Sequence, residues 1–140
     1  MSTSPSKGTT PPSGFSMAAL DTPSGHRCVL VASTEEAREK GLMGFQTVAP
    51  WDGMLFTFDG RPVRSAFYMK DTLIPLDIAF VGGDGVVQEV MTMEPCPPEA
   101  RSCPLYQPQR SYASALEVEK GKASAFGIAA GAKVTAGGTC

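Results

Sequence analysis

The chain has one histidine and one tryptophan among its 140 residues, and no surplus of positive charge. Twelve lysines and arginines face 14 aspartates and glutamates, a formal net charge of -2 with a pI near 5.3. Without a basic field, nucleic acid is a poor partner, because binding it rests on neutralising phosphates. With His26 alone, zinc would depend on scattered cysteines, so no metal and no cofactor is expected. No apolar run approaches the roughly 18–20 residues of a membrane-spanning helix. A Gly-x-Ser-x-Gly elbow, a phosphate-cradling glycine loop and a histidine cluster are also missing, which removes the commonest signatures of hydrolases and nucleotide enzymes.

What is present suits a small β protein. Apolar side chains make up 42% of the sequence, enough for one core, and 15 glycines with 12 prolines suit many turns between short strands. Residues 1–14 are rich in Ser, Thr, Pro and Gly and read as a flexible tail. We take residues 1–24 as disordered tail and linker and 25–137 as a single domain. Strands are expected at 27–32, 54–58, 64–69, 76–81, 86–93 and 112–118, with a brief last one at 132–135. The 54–58 and 64–69 strands read as a hairpin-like pair, and Gly82-Gly83-Asp84-Gly85 marks a second hairpin. Ser33-Thr34-Glu35-Glu36 fits a capping box with Ser33 as the cap, opening a short surface helix. A second short helix fits between Gly121 and Gly127. The fold class is therefore mainly β: an antiparallel β-sandwich or partly open barrel of six to seven short strands with one or two short helices.

Four cysteines allow two bridges or none. Cys96 and Cys103 bound a proline-stiffened loop and are the first choice for a disulfide; the pairing of Cys28 with Cys140 stays open. An oxidised pair implies an extracytoplasmic address, secreted or tethered through a segment outside this sequence.

Two carboxylates stand in apolar strands: Asp77 between Leu76 and Ile78, and Glu117 between Leu116 and Val118. A buried carboxylate needs donors, a ligand or an opening to water. Alternation puts Asp77 with Ala79 on one face and Leu76, Ile78 and Phe80 on the other, which favours an outward Asp77.

The order of motifs resembles the DUF192 family, also called UPF0127. The resemblance is carried by Glu36 to Met43, Gly53-Met54-Leu55-Phe56, Phe67-Tyr68-Met69-Lys70-Asp71-Thr72, Ile74-Pro75-Leu76-Asp77-Ile78-Ala79-Phe80, Leu116-Glu117-Val118 with Gly121, and Gly127 to Gly131, over residues 27–135. It implies a small mainly β domain, often exported or membrane-tethered in bacteria, without an established activity. The family's strongest positions fall on Met43, Gly53, Met54, Phe56, Met69, Lys70, Thr72, Pro75, Leu76, Asp77, Phe80, Glu117 and Gly121. Here Tyr68 replaces a common tryptophan and Asp71 a common asparagine, and Gly44-Phe45-Gln46 lacks an arginine often found there.

If Asp71, Asp77 and Glu117 converge near Lys70, with Thr72, they form a polar recess walled by Tyr68, Met69, Met43 and Phe56. Such a recess serves best as a binding pocket for a small molecule or a portion of a polymer. Two alternatives remain. The carboxylates could act as the pair of a hydrolase acting on a small or carbohydrate substrate, or simply satisfy buried amides in a structural domain without ligand. Lys70 also reads as a solvated loop charge, and Asp71-Thr72 as a turn-forming pair.

Overall fold

The computed structural model describes residues 9–140. Seven strands and two short helices follow in the order β1 (Ser16–Thr22), β2 (Gly25–Ala32), α1 (Glu35–Lys40), β3 (Met54–Thr57), β4 (Leu76–Val81), β5 (Val87–Met93), β6 (Ser114–Glu119), α2 (Lys122–Ala125) and β7 (Thr135–Ala136). The strands form one curled sheet, a half-barrel, in the order β5-β4-β6-β3-β2-β1-β7. The fold class is mainly β, as the glycine- and proline-rich pattern implies.

Four local expectations are corrected. The sheet begins inside the stretch taken as tail: Ser16–Thr22 pairs antiparallel with β2 along its whole length, because Ala19 and Leu20 have a covered strand to bury against. Only residues 1–8 of that tail lie outside the described residues. The β2–β3 pair is parallel, joined by the α1 crossover. No strand forms at 64–69. Both edges of β3 are taken, by β2 and β6, so this segment finds no ladder and crosses over the α1-side core, where Phe67 packs, bonding the connection before β6 through the isolated bridges Val63 to Tyr112 and Phe67 to Tyr106. Finally, Thr34 rather than Ser33 caps α1, its hydroxyl accepting from Ala37 N at 3.1 Å, one residue later than the capping-box reading.

The β4–β5 hairpin stands as expected, with an irregularity at Phe80/Val81. β4 is buried along its whole length because both faces of the sheet are covered. On one face Leu30, Met54, Phe56, Leu76, Ile78, Phe80 and Ala115 pack under α1 and the long loops; on the other Val29, Leu55, Ala79, Leu116 and Val118 pack under α2 and residues 126–134. The two faces therefore hold separate cores. Gly53 marks the tightest approach between strands: a Cβ there would meet Glu117 O at 2.4 Å, so only glycine lets β3 enter beside β6.

Both cysteine pairs are disulfides: Cys96–Cys103, as expected, and Cys28–Cys140, which the sequence leaves open. The second ties the C-terminus, which follows the edge strand β7, back to β2 across β1.

Candidate functional site

The register decides where the two strand carboxyls point. Asp77 lies opposite Val118 and Ile78 opposite Glu117, and directly paired residues share a face. Asp77 therefore projects into the α2 core and Glu117 into the α1 core. The sequence expectation that they converge is corrected: adjacent strands carry them, but on opposite sides of the sheet.

Asp77 also departs from its expected outward setting. It is only 7% exposed, and it is fully engaged. One carboxylate oxygen accepts from Gly121 N at 2.9 Å and Ala123 N at 3.4 Å, the other from the Thr92 hydroxyl at 3.0 Å. The carboxylate supplies the first turn of α2 with the acceptor that its glycine N-cap lacks. Burial is compensated by three donors, which is a structural role.

Glu117 is the opposite case. It is 5% exposed, flanked across the ladder by Met54 and Ile78, and its carboxyl has no hydrogen bond or ion pair among the described residues. Burial alone pushes its pKa up to about 8. At neutral pH the acid is mostly protonated, a state that limits the cost of removing it from water.

This carboxyl lies in the wall of a cavity of about 260 Å³. Phe56 and Glu117 line it from the sheet; one wall is α1 with Glu35, Arg38 and Glu39, another the 65–68 segment with Phe67 and Tyr68, and Met43 and Thr72 complete the lining. Each wall has a visible support. Arg38 donates to Thr57 O at 2.7 Å and Ser33 O at 3.1 Å, and its guanidinium lies 5.1 Å over the Phe58 ring, which pins α1 to the end of β3. The buried Tyr112 hydroxyl donates to Ser65 O at 2.7 Å and holds the crossing segment down; burial pushes that phenol up to about 12, so it stays a donor. Phe67 meets Phe56 edge-on, with centroids 5.0 Å apart. Gly41, at φ 48, lets the chain leave α1 beside the Phe56 ring, where a Cβ would come within 3.3 Å.

Of the residues singled out from the sequence, the cavity gathers Glu117, Thr72, Tyr68, Met43 and Phe56. Met69 is buried in the α1-side core behind it. Lys70 and Asp71 are exposed and border a separate groove against the Cys96–Cys103 loop, with Tyr68 between the two hollows. They act as the turn that the sequence also allows. Asp71 has φ 54 and its carbonyl accepts from Gly44 N; Thr72 N bonds Met69 O and its hydroxyl donates to Lys70 O at 3.2 Å. Aspartate tolerates this left-handed conformation as asparagine does.

Sequence reasoning missed Arg38, Phe67 and the acidic side chains of α1. The signal for Glu35, Arg38 and Glu39 was their i, i+3, i+4 spacing, which puts them on one helix face. No comparable signal existed for Phe67, whose segment reads as a strand. Among the described residues no three His, Cys, Asp or Glu gather as metal ligands.

The sequence matches the DUF192 family, described as "Uncharacterized ACR", over residues 19–136. The chain belongs to the DUF192 family. Two crystal structures resemble this DUF192 domain. One, from Sinorhizobium meliloti, is described as a candidate transcription regulator; it is 28% identical, the match covers 88% of this chain and 95% of that one, and the TM-score is 0.70. The other, from Novosphingobium aromaticivorans, is described as a protein of unknown function, with 29% identity, coverage of 91% and 90%, and a TM-score of 0.72. No curated protein matches this chain. Among the described residues no helix is long and apolar enough to cross a membrane.

Proposed function

We propose that this DUF192 domain is an extracytoplasmic binding module that takes a small molecule into the cavity at Glu117. One observation carries the reading: a buried carboxyl with no partner among the described residues lies in the wall of an aromatic-lined hollow. A carboxyl that serves only the fold is satisfied, as Asp77 is. Natural cores rarely keep one that is not, unless a ligand or a proton makes use of it. The cavity's size suits a compact group rather than an extended chain. Two disulfides favour an oxidising compartment.

The hydrolase alternative built on Asp77 with Glu117 loses its support, because catalytic carboxyls must flank one bond and these face apart across the sheet. The structural alternative accounts for Asp77 and leaves Glu117 unexplained.

The test is an NMR fragment screen on the whole domain with cationic, neutral and anionic fragments. Binding should shift amides at Met43, Phe56 and Tyr68, and Ala66→Trp, which fills the hollow, should abolish the shifts. No perturbation at these residues by any fragment contradicts the reading.

A further inference from the structure

We propose that the Glu117 cavity takes an organic ammonium ion, a small ligand whose positive nitrogen meets the carboxyl while its apolar body lies against the aromatic walls. The inference rests on the binding reading above and names its ligand class. Two features of the cavity point the same way, and its other charges do not oppose them.

Glu117 lacks a donor, and the residues directly across from it, Met54 and Ile78, cannot supply one. A ligand that brings N–H donors and a positive charge converts a desolvated acid into a charge-assisted pair; a second carboxylate would meet repulsion. The other charges at the hollow leave the choice to Glu117. Glu35 and Glu39 on α1 balance Arg38 and Lys40, so the hollow turns negative only as Glu117 ionises. Arg38 is committed to Thr57 O and Ser33 O, while Lys40, Glu35 and Glu39 are all solvent-exposed. Among the described residues neither cation pairs with the cavity carboxyls. The second feature is the lining. Phe56, Phe58, Phe67 and Tyr68 border the cavity, and ring faces attract cations; Phe58 already carries the Arg38 guanidinium on its face.

Binding of this kind moves a proton. The free acid is mostly protonated at neutral pH, and an ammonium ion selects its ionised form, so the carboxyl proton is released to solvent as the ion pair forms. The charged or titratable groups around it are Glu35, Arg38, Glu39 and Lys40 from α1 and Tyr68 from the crossing segment; β3 and β4 present only apolar side chains to it.

The experiment compares three near-isosteric probes, benzylamine, benzyl alcohol and benzoate, by NMR and calorimetry on the intact domain. Benzylamine should bind about tenfold or more tightly than the alcohol near pH 8, with benzoate weakest. Its affinity should rise about tenfold per pH unit below pH 8, and near pH 6.5 calorimetry in buffers of different ionisation enthalpy should report close to one proton released per amine. Glu117→Gln should erase the preference for amine over alcohol. Should that variant fail to fold, proton release by the wild-type chain decides alone. Equal binding of alcohol and amine, tighter benzoate, amine binding without proton release, or an undiminished preference in the Gln variant overturns the ammonium assignment. If alcohol or benzoate still shifts the cavity amides, the pocket stands and only its ligand class falls. Silence from all three overturns the assignment, and the broader fragment screen then decides the pocket.

Discussion

Asp77 and Glu117 sit on adjacent, hydrogen-bonded strands one register step apart, yet their carboxyls enter different cores on opposite faces of the sheet. One is satisfied by two backbone amides and a hydroxyl; the other has no partner among the described residues. Their substitutions should accordingly act in opposite directions.

Asp77→Ala removes the acceptor for Gly121 N, Ala123 N and the Thr92 hydroxyl; it leaves Ala123 N buried, while the exposed Gly121 and Thr92 can turn to water. We expect a loss of about 1–3 kcal/mol in urea unfolding. Amide shifts at Phe56 and Tyr68 should stay in place, since the sheet separates them from the change. A comparable disturbance at the cavity would contradict the two-faced arrangement.

Glu117→Gln should stabilise the domain above neutral pH. The folded-state pKa, about 8, lies above the reference value of 4.5, so between these values the folded chain holds a proton that the unfolded chain has released. Stability therefore falls as pH rises through that window, by roughly 4–5 kcal/mol in all, and levels off above it. The glutamine variant lacks this slope. Its Tm should approach or exceed that of the parent as pH goes from 5 to 8.5; parallel Tm curves would contradict the assignment.

The two disulfides should differ in weight. Cys28–Cys140 spans 112 positions and Cys96–Cys103 spans seven. Loop entropy gives about 5 kcal/mol for the first and about 2.5 kcal/mol for the second. Paired serine replacements compared by urea unfolding check this order. A larger loss at the short loop would show that the C-terminal clasp constrains the unfolded chain little.

Much of the fold is written in local pattern. The β4–β5 hairpin follows from a glycine-rich turn between apolar runs, and α1 from acidic residues at its start with Gly41 at its end. The 64–69 segment was illegible because its apolar residues resemble a strand, while the deciding fact is that β3 has no free edge. Ser16–Thr22 was illegible for a related reason: a short strand beside a polar leader gains its stability from β2, a partner that periodicity does not reveal. For the site, residue types were readable and orientation was not. Asp77 and Glu117 look alike in sequence, each between two apolar neighbours, and only the β4–β6 register separates them. The turn at Asp71-Thr72 was legible as a turn, but its distance from Glu117's hollow depends on the whole crossing segment.

The central claim is that Glu117 is a desolvated acid open to a ligand cavity and lacking an internal partner. Carbon-13 NMR titration of the Glu117 side-chain carboxyl measures this directly. The account predicts ionisation near pH 8, falling on addition of benzylamine. A midpoint near 4.5, unmoved by the amine, would contradict it.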